Sequence, residues 1–172
     1  MMHLQERMYT GQTAPGTSFI QQLSRKRPDA AAWIVGNTSN PRLSGLVKFY
    51  RTVYGGVLVE AEIFGLPSIQ AEDSSDFYAM HIHEFGDCSD EFENTGGHYN
   101  PDALPHPDHA GDLLPLLGCQ GYAWMSFYDK RFTIDEIIGK SVIIHSRRDD
   151  FTTQPSGDAG VKIGCGEIKR VL

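Results

Sequence analysis

The stretch Val-Leu-Val-Glu-Ala-Glu-Ile-Phe, residues 57–64, places small or branched aliphatic side chains at its odd-numbered positions. A period of two predicts a β-strand with one buried face. The tripeptide Tyr54-Gly55-Gly56 separates this strand from a second β-compatible segment at residues 43–53. Because a glycine pair favours a tight connection, the two segments are predicted to form a β-hairpin. The hairpin indicates a fold of antiparallel strands.

Short β-compatible segments recur on both sides of this hairpin, bounded by turn residues. Further strands are predicted at residues 31–35, 77–83, 121–127, 141–145 and 161–168. A capping box over Thr133–Glu136 predicts one short helix, and a helical turn is expected around Phe19–Leu23. The irregular connection over residues 84–116 is typical of a functional loop. We therefore predict an N-terminal extension at residues 1–28 and an all-β domain, a sandwich or flattened barrel, at residues 29–172.

The composition is that of an ordinary globular chain, with 172 residues of which 40% are hydrophobic and 22% charged. This length suits one domain with a buried core. The apolar runs are too short for a membrane-spanning helix, and a formal net charge of -7 argues against nucleic acid or an anionic membrane as the main partner. No secretory signal is recognised near the N-terminus, so a cytoplasmic location is the default expectation. The cysteines leave export open.

Six of the seven histidines lie between residues 81 and 145, and only His3 lies outside this region. His81 and His83 are separated by one residue at the end of a predicted strand. Their side chains therefore project from the same face. Taken alone, such a pair is more often exposed or structural than metal-binding.

The other clustered histidines lie on predicted loops or at a strand end. His98 follows two glycines that let the backbone approach a site closely, and His145 ends a predicted strand. His106, His109 and Asp112 fall within seven residues of one proline-containing loop. Taken singly, these features have ordinary alternatives: a plain turn, a structural histidine or a polar surface loop.

Together, the six histidines and Asp112 supply seven metal donors. Imidazole-rich sites suit copper and zinc, whereas calcium and magnesium prefer oxygen ligands. Two four-ligand sites need eight donors, so one imidazole would have to serve both metals. Only two adjacent cations would stabilise such a shared imidazolate.

Two longer stretches resemble a known family, the copper/zinc superoxide dismutases. Residues 79–89, Ala-Met-His-Ile-His-Glu-Phe-Gly-Asp-Cys-Ser, are similar to its copper-site signature, and residues 157–168 are similar to its C-terminal signature. The resemblance runs from about Ala30 to Ile168, and the position of Cys88 is similar to that in bacterial members. It implies a Greek-key β-barrel or sandwich of about eight antiparallel strands with long functional loops.

The same resemblance implies that the chain converts superoxide to dioxygen and hydrogen peroxide, with one copper and one zinc per chain. His98 would be the imidazolate shared by the metals and would take up and return a proton. His98 and Lys162 would be the catalytic residues. The implied copper ligands are His81, His83, His98 and His145. The implied zinc ligands are His98, His106, His109 and Asp112.

The resemblance also assigns roles around the metals. Asp149 would connect a copper ligand, His81, to a zinc ligand, His106, and so fix their ring orientations. From the residues alone, three cysteines allow three single disulfides; the resemblance implies the pair Cys88 and Cys165. Cys119 is then left over, and we expect it to be a buried or half-buried strand residue.

Two departures from the family pattern carry consequences. Lys162 stands where the family usually has an arginine that guides the anion, and lysine lacks the planar fork of arginine. We therefore expect a slower and more salt-sensitive enzyme than an arginine-bearing relative. The zinc loop is also compressed, with only Pro107 and Asp108 between His106 and His109.

The alternative function is that of a non-enzymatic copper/zinc-binding member of the same fold. A zinc hydrolase would need an open position on zinc and a general base, and four zinc donors leave no such position. Superoxide is the implied substrate, without nucleic acid or membrane as partner. A homodimer is one assembly that the family allows.

Overall fold

The computed structural model describes residues 15–25, 27–67 and 76–172, and this part of the chain is mostly β-structure. Residues 1–14, which include His3 and N-terminal sequence in which no secretory signal is predicted, lie outside it. The elements, in chain order, are α1 (Pro15–Arg25), β1 (Ala30–Gly36), β2 (Ser44–Arg51), β3 (Val57–Phe64), β4 (Phe77–Tyr78), β5 (Met80–His83), a 3₁₀ helix (Asp90–Thr95), β6 (Leu116–Leu117), β7 (Tyr122–Asp129), α2 (Ile134–Ile137), β8 (Ser141–His145) and β9 (Lys162–Arg170).

Seven of these strands form one curled antiparallel sheet, in the order β5-β8-β9-β1-β2-β3-β7, and β4 pairs with β6. Strands β1, β2 and β3 follow one another, and β9 returns to lie beside β1, which is the strand order of a Greek key. The predicted all-β fold is confirmed. No helix in the described residues has the length and apolar character needed to span a membrane.

The segment 77–83, predicted as one strand, divides at Ala79. Strand β4 belongs to the small sheet, whereas β5 pairs with β8 in the large one. The backbone N–H of Ala79 donates to the carbonyl oxygen of Arg147 at 2.7 Å. Ala79 itself belongs to neither ladder, because its backbone bonds join it to His145 and Arg147 at the end of β8 and just after it.

The predicted hairpin is formed by β2 and β3 in antiparallel register. The alternating inward side chains of β3 are buried in the core; they are Val57, Val59, Ala61 and Ile63. The other face differs from the prediction, because Leu58 and Glu60 are buried there too. The Glu60 carboxylate accepts hydrogen bonds from the Tyr50 hydroxyl at 2.9 Å and the Lys48 ammonium at 3.1 Å, which compensates for its burial.

The helical turn expected near the N-terminus is part of an 11-residue helix, α1. The Phe19 ring stacks on Tyr128 of β7 with centroids 5.3 Å apart. The Gln22 amide nitrogen donates to the carbonyl oxygen of Arg51 at 2.7 Å. Helix α1 therefore packs on the curled sheet, while a domain boundary between residues 28 and 29 stays a prediction.

The long irregular connection contains a 3₁₀ helix, Asp90–Thr95, that no sequence pattern predicts. Within it Asp90, Glu91 and Phe92 all have positive φ. The side chain of Phe92 is buried against Ile143 and Cys165. This buried contact is a long-range feature, invisible to local propensity.

Candidate metal centre

Two paired strands carry three of the clustered histidines. His81 and His83 lie on β5, and His145 ends the neighbouring strand β8. Met80 and Ile82 alternate with the β5 histidines and are fully buried in the core. The strand period therefore turns both β5 imidazoles away from the core, as predicted.

These three histidines and His98 form the strand group, whose four potential ligand atoms lie within 4.8 Å of one another. His98 comes from the loop that follows the 3₁₀ helix, and its backbone forms an isolated β-bridge with His83. The ring centroids of His98 and His81 are 4.0 Å apart. A loop residue thus completes a cluster that is otherwise carried by strands.

Backbone carbonyls fix the protonation of two rings in the strand group. Nδ1 of His83 donates to the Gly96 oxygen at 3.0 Å, and Nδ1 of His145 donates to the Gly160 oxygen at 3.2 Å. In neutral rings the proton therefore resides on Nδ1, leaving lone pairs on both Nε2 atoms. Those two atoms face each other at 3.3 Å. Such opposed lone pairs fit a metal cation bound by both.

Nδ1 of His81 completes this pattern. It is buried and has no hydrogen-bond partner in the described chain, whereas Nε2 of the same ring is bonded to a carboxylate. An orphaned buried nitrogen is costly unless something binds it. The donor set of the strand group is therefore four nitrogens, which fits copper.

His98, His106, His109 and Asp112 form the loop group, whose ligand atoms also lie within 4.8 Å of one another. Nδ1 of His98 is 2.6 Å from Asp112 Oδ1, and Nδ1 of His106 is 3.0 Å from Oδ2. Nδ1 of His109 is 3.2 Å from the same Oδ2 without hydrogen-bond geometry. One carboxylate facing three imidazole nitrogens fits zinc. The compressed loop therefore still brings its donors together.

His98 belongs to both groups. Its Nδ1 faces the carboxylate of Asp112, and its buried Nε2 has no hydrogen-bond partner in residues 15–25, 27–67 and 76–172. The ring lies between the strand group and the loop group. One imidazole could thus offer a different nitrogen to each of two cations.

Asp149 connects the two groups, because its carboxylate hydrogen-bonds to one histidine of each. Its Oδ2 accepts a hydrogen bond from Nε2 of His81 at 2.8 Å, and its Oδ1 accepts one from Nε2 of His106 at 2.9 Å. Burial alone would raise the pKa of Asp149, but the hydrogen bond from His81 and others lower it below its ordinary value. The carboxylate stays ionised and directs Nδ1 of both rings toward the clusters.

Burial keeps the imidazoles of His81, His83 and His145 neutral. It lowers the pKa of His81 to about 4 and the pKa of His145 to about 3. Burial, followed by repulsion from His145 and His98, also lowers the pKa of His83 far below its ordinary value. Neutral imidazole is the form that binds metals.

A disulfide and a lysine lie beside the strand group. Cys88 and Cys165 are bonded and tie the connection after β5 to strand β9. At the start of β9, the Lys162 ammonium donates to the Phe92 carbonyl oxygen at 3.1 Å and to the Thr95 hydroxyl at 3.0 Å. Both acceptors belong to the 3₁₀ helix, so a loop feature positions a strand residue.

A cleft of about 990 Å³ opens beside both groups. His83, His98 and Lys162 line it, together with the carboxylates of Glu91 and Glu93. The cleft gives solvent a route to the histidines. Its wall combines one cation near the histidines with nearby acidic residues.

The remaining cysteine departs from the prediction. Cys119 is exposed rather than buried, because it lies at a tight turn before β7. Its backbone pairs with Tyr122 in an isolated bridge, with the Cys119 N–H donating to the Tyr122 oxygen at 2.7 Å. A turn tip of this kind leaves its side chains in solvent.

Sequence reasoning misses three residues that support the site. Thr95 holds Lys162, whereas Arg131 and Gln154 bind backbone groups of the loop that carries the loop group. All three act across long sequence separations. No local pattern marks them.

A family model and curated relatives of known name both match this chain. The family model described as copper/zinc superoxide dismutase matches residues 43–168. The chain is 34% identical over 134 residues to the extracellular Cu-Zn superoxide dismutase of Rattus norvegicus, a match covering 73% of this chain and 54% of the relative. It is also 28% identical over 155 residues to the copper chaperone for superoxide dismutase of Sus scrofa, covering 83% and 53%. The chain thus spans about half the length of these curated relatives.

The fold has solved counterparts as well. A crystal structure of a superoxide dismutase-like protein from Bacillus subtilis matches with a TM-score of 0.67 and 26% sequence identity, covering 80% of this chain and 96% of that one. The family model spans most of the chain, and the rat relative exceeds 30% identity over more than two thirds of it. The chain therefore belongs to the copper/zinc superoxide dismutase family.

Proposed function

We propose that the chain converts superoxide to dioxygen and hydrogen peroxide, with one copper in the strand group and one zinc in the loop group. The observation that carries this proposal is the placement of His98. One ring nitrogen faces Asp112 at 2.6 Å, and the other is buried without a hydrogen-bond partner in the described chain. A ring positioned between a four-nitrogen cluster and a three-nitrogen, one-carboxylate cluster is what a shared ligand requires.

The bound copper would supply a redox couple that takes an electron from one superoxide and gives one to the next. Two superoxide ions and two protons thereby become one dioxygen and one hydrogen peroxide. In this proposal Nε2 of His98 takes up one proton and returns it in each cycle. Asp112, His106 and His109 hold zinc and keep Nδ1 of His98 oriented throughout.

Lys162 attracts the anionic substrate in this proposal. Its ammonium lies on the cleft wall beside the histidines, in a chain whose formal net charge is -7. The positive charge of Lys162 therefore has to outweigh, at the cleft, the negative charge of the rest of the chain. The expectation that lysine makes turnover slower and more salt-sensitive than arginine stays a prediction, which the rate of Lys162→Arg would test.

Metal analysis of purified protein, combined with a superoxide turnover assay, tests the proposal. We expect about one copper and one zinc per chain and turnover that is lost with copper and restored by it. A protein that takes up zinc alone and shows no turnover would contradict the proposal. The full chain serves in this assay, and a heat-denatured sample containing the same metals is the control.

The alternative, a non-enzymatic metal-binding member of the fold, has one observation in its favour: the similarity to copper chaperones. Copper that binds stoichiometrically, supports no turnover and transfers to an acceptor protein would establish it. Turnover that requires bound copper would exclude it. The same purified protein serves both assays.

Assembly and location stay predictions. The homodimer and the cytoplasmic default rest on the sequence alone, and the word extracellular belongs to the name of the rat relative.

A further inference from the structure

The loop that carries the loop group is held by Arg131, in the segment after β7. Nη1 of Arg131 donates to the backbone oxygen of His109 at 3.1 Å, and Nη2 donates to the backbone oxygen of Asp112. The Asp129 carboxylate accepts from Nε of the same guanidinium at 3.1 Å and from Nη2 at 2.7 Å. This two-point ion pair fixes the plane of the guanidinium. Arg131 thus presents oriented donors to the backbone of two loop-group residues.

Gln154 holds a third loop-group residue. The backbone N–H of His106 donates to Oε1 of Gln154 at 3.0 Å, and Nε2 of Gln154 donates to the His106 oxygen at 2.6 Å. One side-chain amide therefore pairs with both backbone groups of a single residue. Gln154 lies 48 positions away in the sequence, so this contact joins two separate loops.

We propose that Arg131 and Gln154 are positioning residues that arrange the loop group for its cation before the cation binds. This inference rests on the proposed zinc site but concerns the backbone that carries its donors. Neither side chain hydrogen-bonds to a donor atom of His106, His109 or Asp112 in the described contacts. The segment 106–112 is not part of a strand or helix. Backbone bonds at Gly111 and a bridge between Asp112 and His81 hold its C-terminal end, and the two side-chain tethers add support at His106, His109 and Asp112. Ordering the loop in advance leaves less conformational entropy to lose on binding.

If only charge mattered, substitutions at Arg131 and Gln154 could be chosen that strengthen zinc binding, whereas the positioning role predicts that the same substitutions weaken it. The direction of the change in zinc affinity therefore tests the proposal. Arg131 is a cation close to a cation site, so its removal should strengthen zinc binding if only charge matters. Gln154→Glu adds a negative charge and should strengthen binding for the same reason. If both residues position the backbone, both substitutions weaken zinc binding.

The experiment measures zinc affinity of the copper-free protein by competition with a chromophoric chelator. We expect zinc binding to weaken by about tenfold or more in Arg131→Met, as for other residues that support metal ligands indirectly, and by less in Gln154→Glu. Lys130→Met is the matched control, because it removes a neighbouring positive charge that lies over the Tyr128 ring. Its affinity should stay within about twofold of the parent, since it removes no backbone tether.

Arg131→Lys separates fork geometry from charge. Lysine keeps the charge but cannot reproduce the fork, so its zinc affinity should stay low. Parental affinity in Arg131→Lys, or equal or tighter binding in both Arg131→Met and Gln154→Glu, would overturn the proposal. Should Arg131→Met fail to fold, Gln154→Glu carries the test, because Gln154 is exposed.

Amide hydrogen exchange of the metal-free protein supplies a second readout. The amides of residues 106–112 should exchange faster in Gln154→Glu and Arg131→Met than in the parent, while the core strands stay protected. Unchanged exchange in this segment would overturn the positioning role. A parent protein that takes up no zinc would contradict the proposed function instead, and exchange would still decide the role of the two tethers.

Discussion

The strand group and the loop group share His98 but are built in different ways. Three strand-group histidines lie on β5 and β8, whose register fixes their spacing. The other loop-group donors lie on the irregular segment 106–112, where distant side chains hold the backbone. The difference shows that a paired strand can position ligands by its own geometry, whereas a short loop depends on contacts from elsewhere in the fold.

Asp149 connects these two constructions, and Gly157 makes room for it. A Cβ at residue 157 would lie 2.0 Å from Asp149 Oδ1 and 2.7 Å from Nε2 of His106. Gly157 also has a φ of 69°, where other residues are strained. The connection between the groups therefore depends on a glycine in the loop before β9.

The largest expected effect comes from Gly157→Ala. The added methyl group should displace Asp149 and break its hydrogen bonds to His81 and His106. We expect the free energy of unfolding to fall by about 4 kcal/mol, combining overpacking with lost charged hydrogen bonds. Both metals should also bind more weakly. Urea unfolding and metal analysis measure the two effects.

Gly55→Ala is the matched control for this substitution. Gly55 has a similar φ of 74°, but no atom of the described residues lies within 4 Å of the position that a Cβ would occupy there. It should lose only about 1 to 2 kcal/mol, from backbone strain, and bind both metals as the parent does. Equal losses in the two variants would show that backbone strain, and not contact with Asp149, explains the result at Gly157.

The second effect is a pH dependence that comes from the strand group. Burial lowers the pKa of His81 to about 4 and of His145 to about 3, whereas in the unfolded chain both are near 6.5. As pH falls through 6.5, the unfolded chain binds protons that the folded chain does not, so stability present above 6.5 is lost. Between pH 7 and pH 5 the metal-free protein should lose about 2 kcal/mol for each such histidine.

Urea unfolding of the metal-free protein at pH 7 and pH 5 measures this loss. The pKa values of Asp112 and Asp149 are lowered from 3.8, so their contributions persist above about pH 4 and do not obscure the histidine effect. His83→Gln removes one buried histidine and should reduce the difference between the two pH values. Equal stability at both would contradict the assignment of neutral, buried imidazoles.

The same contrast explains how much of the molecule could be predicted. The period of two in residues 57–64 predicted the inward face of β3, and His81 and His83 followed from the same rule. Burial of Glu60 on the other face was missed because Tyr50 and Lys48, which bond to it, belong to a different strand. The alternation of side chains along a strand predicts which face points into the core. It does not predict which residues of other strands cover the opposite face.

The loop contacts show the limit more sharply. Gln154 hydrogen-bonds to His106, 48 residues away in the sequence, and Lys162 hydrogen-bonds to Thr95, 67 residues away. No sequence pattern marks a glutamine or a threonine for such a role. The family resemblance implies the metal-binding residues, but it does not imply the supporting residues Gln154 and Thr95. Their positions follow from chain folding rather than from spacing.

The smallest expected effect concerns Lys162, a strand residue positioned by a loop. Thr95→Val keeps the shape of a fully buried side chain but removes the hydroxyl that accepts from the ammonium at 3.0 Å. The Phe92 carbonyl oxygen remains as the other acceptor. Since one hydrogen bond contributes about 1 kcal/mol, we expect kcat/KM for superoxide to fall by about two- to fivefold.

A double-mutant cycle separates this effect on Lys162 from a general loss of structure. In the Lys162→Met background the ammonium is absent, so Thr95→Val should cause no further loss of kcat/KM. An equal loss in both backgrounds would mean that Thr95 acts on the fold and not on the lysine. A loss of kcat/KM confined to the parent background would show that Thr95, in the 3₁₀ helix, positions the ammonium of Lys162 for superoxide.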